Sequence, residues 1–329
     1  MTEAIPGSGS APEESRNVVL TRPPALAPLL ARGALLSPTK RPRPNAPYPR
    51  TRLVLPAVRV DPERLAAYER TCGFEADGTL PVTYPHVLGF APAMRLMTRR
   101  AFPLPVLGLV HTSIGITRRA AMPADRPYEI AVRVAGLAPH RRGTEATVVT
   151  EARADGEPVW ESQSTYLARH RVPSPPQARG ERDARATREE LAAPDERVEH
   201  DGRVGPEEDA APDEHAAPEE RVALPVAAEW RLAGDLGRRY GAASGDRNPI
   251  HLTAATARLF GFPRAIAHGM WTAARCVAAH GVPEAGRVTV RFRAPVLLPG
   301  TVVYGESGDR FELRGGDRLH LEGETAPLA

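Results

Sequence analysis

Two titratable side chains stand close together in the segment SGDRNPIH, where His251 follows Asp246 by five residues. A carboxylate and an imidazole held side by side can exchange protons with a bound molecule, which is general acid–base chemistry. Pro249 lacks an N–H group and disfavours the α region for Asn248, so the segment is predicted to be a tight loop. Gly245 is a further turn former. The loop is therefore predicted to hold Asp246 and His251 near each other.

A helix is predicted downstream of this loop, beginning near His268 and ending at Gly281. Its apolar residues recur with helical spacing: Met270, Ala273, Ala274, Val277 and Ala278. Because this stripe is mostly alanine, the helix can lie very close to the element it packs on. The amide of Gly269, in the first turn, has no acceptor within the helix, so it suits a developing negative charge.

Together these residues resemble the MaoC-like, or type 2, enoyl-thioester hydratases, which are (R)-specific enoyl-CoA hydratases and 3-hydroxyacyl-thioester dehydratases. The matching anchors are Tyr240, Ser244-Gly245-Asp246, Asn248-Pro249-Ile250-His251 and His268-Gly269-Met270. The resemblance implies a hot-dog fold, in which a curved antiparallel sheet wraps a long central helix. Some members carry a serine further along that helix, where this chain has Cys276 and Val277.

The resemblance also implies roles for the anchor residues. Asp246 and His251 would be the catalytic pair, and the Gly269 amide would bind the thioester carbonyl oxygen. We place Asn248 and His268 with Gly269 in the oxyanion and substrate-binding part of the site, Asn248 as a residue that orients the loop or the catalytic pair and His268 as a structural residue where the helix starts. No metal and no cofactor is expected, because the thioester is already polarised and the loop has no ligand cluster with metal spacing.

Other interpretations of the loop remain open at this stage. Asp246 forms an Asx turn over Asn248 in the simplest alternative, and His251 caps the following helix. The whole protein could instead be a hot-dog acyl-thioesterase or a non-catalytic subunit that binds acyl thioesters. The sequence also leaves open which of Asp246 and His251 performs which proton transfer.

The first half of the chain carries a weaker signal of the same kind. A helix is predicted at Phe90–Thr98, and strands at Arg52–Val60, Leu107–Ile116, Tyr128–Val134, Gly143–Ala154 and Val159–Arg169. The pieces LPVTYPHVLGF and LGLVHTSI resemble the N-terminal unit of double hot-dog hydratases, in which such a degenerate half helps to form the acyl-chain pocket. His86 and His111 are predicted to be buried or half-buried histidines bonded to the backbone.

The predicted fold class is α+β, a double hot-dog with two curved antiparallel sheets, each wrapped around a central helix. Residues 1–50 are a proline-rich arm, in which Leu26–Leu36 is either a docking helix or part of a surface-lying segment. Residues 51–172 form the degenerate unit and 223–329 the catalytic unit. Between them, 173–222 are rich in charge and proline, so they bury too little apolar area to order and form a disordered linker.

Composition narrows the partners. The net charge is only +3, and no basic patch is interleaved with aromatic residues, so nucleic acid is not expected. Two cysteines give no disulfide framework and fit a reducing cytoplasm, and neither a signal peptide nor a membrane span is expected. The expected partner is an acyl-CoA or acyl-carrier-protein thioester. Whether such chains pair into a homodimer is left open.

Overall fold

The computed structural model describes residues 16–172 and 222–328, here called the N-terminal half and the C-terminal half. These two ranges contain six α-helices: α1 Leu26–Leu36, α2 Pro62–Cys72, α3 Tyr84–Met97, α4 Leu236–Ser244, α5 Ala254–Arg258 and α6 Gly269–His280. They also contain eleven strands: β1 Asn17–Val19, β2 Arg52–Val58, β3 Val110–Arg118, β4 Tyr128–His140, β5 Gly143–Ala154, β6 Glu157–Arg169, β7 Val226–Leu232, β8 Gly286–Phe292, β9 Gly300–Ser307, β10 Arg310–Gly315 and β11 Arg318–Pro327. None of the helices in the described ranges is both long and apolar enough to cross a bilayer.

All eleven strands of the described residues join one sheet, in the order β1-β2-β4-β5-β6-β3-β8-β11-β10-β9-β7. Strands β1 to β6 come from the N-terminal half and β7 to β11 from the C-terminal half. The halves meet where β3 pairs antiparallel with β8, with Ile114 opposite Val290. The predicted α+β, double hot-dog fold is confirmed, with the refinement that the two expected sheets are continuous across the β3–β8 pair.

A central helix lies against each half of the sheet. In the N-terminal half α3 contacts β4 and β5, and in the C-terminal half α6 contacts β10. The alanine stripe predicted for α6 is confirmed, since Ala273 and Ala274 are fully buried. The close packing expected of small residues therefore occurs in this helix.

Helix α3 begins six residues before the predicted start at Phe90. The prediction began the helix after Gly89, but that glycine lies inside α3. A Cβ atom at this position would lie 2.4 Å from the Thr150 Cγ2 atom on β5, so only glycine lets the helix pack this closely on the sheet. Pro85 is tolerated in the first turn, where a backbone N–H group has no helical acceptor. Gly89 therefore allows close contact between α3 and the sheet and does not mark the start of the helix.

The docking-helix alternative for Leu26–Leu36 is confirmed by α1. A side chain at Gly33 would lie 2.9 Å from the Thr98 Cγ2 atom, so the glycine lets α1 approach the end of α3 closely. Just beyond α1, Lys40 donates hydrogen bonds to the carbonyl oxygens of Arg99 at 2.7 Å and Phe102 at 2.6 Å. The arm is therefore fastened to the segment that follows the central helix.

Candidate active site

The segment after α4 folds on its own side chains. Gly245 ends the helix with a φ of +85°. Beyond it the Oδ1 atom of Asp246 accepts a hydrogen bond from the Asn248 amide at 3.1 Å, and the Asn248 side chain accepts one from the Ile250 amide at 3.4 Å. The predicted loop and its Asx turn are both present. The turn uses one oxygen of the Asp246 carboxylate for the fold of the loop.

Two glycines of α4 hold this loop against the helix. A Cβ atom on Gly237 would lie 1.9 Å from the carbonyl oxygen of His251, and one on Gly241 would lie 2.7 Å from the carbonyl oxygen of Asp246. Both distances are too short for any side chain, so the backbone of the loop rests directly on α4. The sequence analysis missed these residues, although their spacing of four on a helix places them on one face.

The predicted pair lies together, and His268 joins it. One side-chain atom from each of Asp246, His251 and His268 falls within a group whose members are no more than 4.8 Å apart. The rings of His251 and His268 stack with their centroids 3.7 Å apart. The Asp246 side chain is 27% exposed, whereas that of His268 is only 2% exposed. The carboxylate is thus the part of this group that solvent reaches most easily.

The two histidines use their ring nitrogens differently. His251 donates from Nδ1 to the carbonyl oxygen of Ile266 at 2.8 Å, because that oxygen can only accept, and its Nε2 atom therefore carries the lone pair in the neutral ring. His268 donates from Nε2 to the carbonyl oxygen of Asp246 at 3.0 Å. His268 therefore binds the loop backbone, as a structural residue does, while His251 presents an acceptor nitrogen.

Burial keeps both rings neutral. It lowers the pKa of His251, and the nearby Asp246 charge and the Ile266 hydrogen bond offset only part of that effect. Burial and the neighbouring His251 lower the pKa of His268 to about 3. At neutral pH the site thus combines a carboxylate with an uncharged imidazole that can accept a proton.

The Gly269 amide opens α6 next to this group. Its neighbour His268 has extended backbone angles, and the Thr272 amide donates to the His268 carbonyl oxygen at 3.1 Å, so the Gly269 amide precedes the helical hydrogen bonds. A Cβ atom on Gly269 would lie 3.3 Å from the Phe292 ring. The glycine therefore leaves the amide at the helix N-terminus without a side chain over it.

The donor set of Asp246, His251 and His268 is one that metals also use. His268, however, already uses its Nε2 atom for the Asp246 backbone, and its Nδ1 atom is buried. A metal bound by all three residues would have to break that backbone contact or reach a buried nitrogen. The expectation of a metal-free site stays a prediction.

The N-terminal half also reaches this region. His111 lies with its ring centroid 4.8 Å from that of Phe292, the residue that flanks Gly269. Burial lowers the pKa of His86, and the negative charge of Asp246 offsets part of that effect. His111 makes the predicted backbone hydrogen bond, with Ser113, whereas the Nδ1 atom of His86 is buried without a partner among the described residues. Sequence spacing gave no signal of this proximity, since it depends on the β3–β8 pairing.

Comparison with known proteins identifies related sequences and structures. Residues 213–309 match the MaoC like domain. The chain is 31% identical over 298 residues to 3-hydroxyacyl-thioester dehydratase X of Mycobacterium tuberculosis, which covers 88% of this chain and 91% of that protein. The crystal structure of HtdX from the same organism has a TM-score of 0.65 at 29% identity, and the match covers 84% of this chain and 100% of that one. A MaoC-like dehydratase from Phytophthora capsici, with a TM-score of 0.57 at 17% identity, covers 87% of this chain and 96% of its own and shares the fold.

Proposed function

Because this chain belongs to the MaoC-like domain family, we propose that it is a hydro-lyase that interconverts 3-hydroxyacyl thioesters with trans-2-enoyl thioesters and water. The observation that carries the proposal is the grouping of Asp246 and His251 beside the amide that opens α6. The relative from M. tuberculosis is itself named a 3-hydroxyacyl-thioester dehydratase. We further propose the (3R) isomer as the hydroxyacyl form.

The neutral His251 ring is suited to be the base in the hydration direction. Its Nε2 atom takes a proton from water while the water oxygen bonds to Cβ of the enoyl thioester. The π electrons of the double bond move toward the thioester carbonyl, giving an enolate. The imidazolium then returns its proton to Cα, so that one water has been added across the double bond and His251 is neutral again.

Asp246 supports this cycle in two ways. Its carboxylate can accept a hydrogen bond from the attacking water, and its negative charge favours the imidazolium that forms transiently on His251. Positioned acid–base groups of this kind typically contribute about 10²–10⁴-fold to the rate. The turn made by Asn248 and the glycine contacts of α4 hold the backbone that carries this carboxylate.

The Gly269 amide would hold the enolate oxygen. An N–H group at a helix N-terminus points at the charge that develops there, and one such donor is worth about 10²–10³-fold in other enzymes. The groups that transfer protons and hold the enolate oxygen are then all in the C-terminal half. The substrate we propose is an acyl-CoA or acyl-carrier-protein thioester, bound by a protein that needs no cofactor for this chemistry.

The test is to mix the purified protein with crotonyl-CoA and longer trans-2-enoyl-CoAs and to follow the absorbance of the conjugated double bond together with free thiol. Loss of enoyl absorbance without thiol release, and a product with the (3R) configuration on chiral chromatography, is the expected result. Thiol release with the double bond intact would identify a thioesterase instead. Binding without turnover would identify a non-catalytic acyl-thioester subunit.

A further inference from the structure

A row of aromatic rings crosses from the N-terminal half to the proposed site. Tyr166 on β6 and His111 on β3 lie opposite each other, with ring centroids 4.5 Å apart. The next ring is Phe292 on β8, whose centroid is 4.8 Å from that of His111. Since Phe292 flanks Gly269, the row leads from three neighbouring strands to the N-terminus of α6.

A β-bulge turns His111 toward this row. His111 pairs with Tyr166, but Ser113 pairs with Thr165, so β3 has one extra residue at Thr112. Without it, the alternation of strand side chains would put His111 on the face opposite the fully buried Ile114. The bulge restores His111 to the core face. Such bulges are frequent next to active sites, where they redirect a side chain.

His86, on the first turn of α3, adds a second imidazole to this place. Its ring centroid is 6.1 Å from that of His111. Within residues 16–172 and 222–328, the Nδ1 atom of His86 and the Nε2 atom of His111 are buried without a hydrogen-bond partner. A buried polar atom without a hydrogen-bond partner destabilises a protein. Two such nitrogens close together therefore indicate a site for a ligand or water that supplies the missing hydrogen bonds.

The charge of these groups selects the kind of ligand. Burial lowers the pKa of His86 to about 4 although Asp246 opposes that change, and burial with the neighbouring His86 lowers the pKa of His111 to about 3. Burial also raises the pKa of Tyr166 to about 12. All three side chains are uncharged at neutral pH and offer no positive charge to offset a buried anion, so they suit an uncharged hydrogen-bonding atom better than a phosphate or carboxylate.

We propose that His86 and His111 form a hydrogen-bonding wall of the reaction site, supplied by the N-terminal half, that binds an uncharged oxygen opposite Asp246. The proposal rests on the proposed hydro-lyase function for its reaction but not for its geometry. The oxygen belongs either to a substituent on the acyl chain of the substrate or to a water ordered beside it. His86 is then a substrate-positioning residue in a half whose sequence resembles a degenerate unit that helps to form the acyl-chain pocket.

The variant that tests the wall is His86→Leu, which removes both ring nitrogens and keeps an apolar side chain. We expect kcat/KM for trans-2-enoyl-CoA to fall about tenfold or more, in line with the loss of one hydrogen bond in a buried site. We expect Tm to stay the same or to rise by a few degrees, because an unpaired buried nitrogen has been removed. His86→Asn, which keeps a donor and an acceptor, should retain more activity than His86→Leu.

A matched control is His320→Leu. His320 is also buried, but its Nδ1 atom donates to the carbonyl oxygen of Ala294 at 3.3 Å. Its loss should lower Tm and leave kcat/KM of the folded protein within about twofold, because the hydrogen bonds that it makes go to the backbone at Ala294 and Pro295. A structural histidine and a substrate-positioning histidine thus give opposite patterns of stability and activity.

Two substrates separate the two sources of the oxygen. If it lies on the acyl chain, the wild type should prefer an enoyl-CoA with a hydroxyl or keto group beyond Cβ over its hydrocarbon analogue, and His86→Leu should abolish that preference. If it is water, the variant should lower kcat for both substrates equally. Unchanged kinetics in His86→Leu, or a fall in Tm that parallels the activity loss in both His86 variants, would overturn the proposal. A wild type inactive on every enoyl-CoA and on the enoyl-acyl-carrier-protein thioesters would instead refute the hydro-lyase function, and the Tm values would still decide whether His86 is structural.

Discussion

His251 and His268 stack on each other, yet they are held for different tasks. His251 directs Nδ1 to the backbone at Ile266 and keeps Nε2 as an acceptor, whereas His268 uses Nε2 to hold the backbone of Asp246. The type of residue is the same at both positions. The hydrogen bond that each ring makes with the backbone decides which one can take a proton.

This difference predicts unequal effects of two identical substitutions. His251→Gln should lower kcat by about 10²–10⁴-fold, because glutamine cannot accept the proton from water. His268→Gln should lower kcat much less, since the glutamine side chain can still donate to the Asp246 carbonyl oxygen. Steady-state kinetics of both variants with crotonyl-CoA is the measurement. Equal losses in the two variants would mean that the proton passes through His268 as well.

At the scale of elements, the proposed active site depends on a helix that contributes no reacting group. Helix α4 carries Gly237 and Gly241 on the face that supports the loop, and the backbone of Asp246 and His251 rests on these glycines. The loop is thereby held at a fixed height above the helix. A substitution at either glycine of α4 should therefore displace Asp246 and His251.

Gly237→Ala tests this support. The new Cβ atom would lie 1.9 Å from the His251 carbonyl oxygen, so the loop must move away from α4. We expect a loss of kcat of at least about tenfold, because small misplacements of catalytic groups are costly, together with a fall in Tm. Gly136→Ala on β4 is the matched control, since a Cβ atom there meets no heavy atom within 4 Å, and it should leave both values unchanged. Full activity in Gly237→Ala would show that the loop does not depend on this contact.

At the scale of the whole molecule, the two halves form a continuous sheet and bring two buried and two half-buried histidines together at their junction. Burial lowers the pKa values of His86, His111, His251 and His268. Their unfolded value is about 6.5, so the unfolded chain binds more protons than the folded one as the pH falls below that value. Their contribution to stability is therefore present above about pH 6.5 and decreases below it.

Thermal unfolding between pH 7.5 and 5 measures this effect, because most carboxylates do not yet titrate there. We expect Tm to fall steadily as the pH drops from 6.5 to 5, and we expect a shallower fall in His86→Leu, which lacks one of the lowered groups. A Tm that is constant over this range in the wild type would contradict the burial of neutral histidines.

The sequence predicted the turn that carries Asp246 and His251 well, because its determinants are local. Gly245, Asn248 and Pro249 set the turn, and the alanine spacing of α6 sets the buried helix, all within one stretch from Tyr240 to Gly281. The wall formed by His86 and His111 could not be predicted in this way. It depends on the pairing of β3 with β8 and on the bulge at Thr112, which are long-range features without a short motif.

We propose that the chain is divided into two units joined by a linker. The predicted linker, 173–222, lies outside the described residues apart from Val222, and we retain it as the segment that separates the degenerate unit, 51–172, from the catalytic unit, 223–329. Both units are then needed for one site. The C-terminal unit supplies the reacting groups, and the N-terminal unit supplies the wall that faces them.

The most direct test of the account is the turnover of Asp246→Asn with trans-2-enoyl-CoA, followed by the absorbance of the conjugated double bond. An asparagine can still accept the hydrogen bond from the Asn248 amide, so the loop should keep its shape and Tm should change little. We predict that hydration slows by about 10²-fold or more, because the amide carries no charge to stabilise the imidazolium of His251. Hydration near the wild-type rate in a folded Asp246→Asn protein would contradict the assignment of this carboxylate to catalysis.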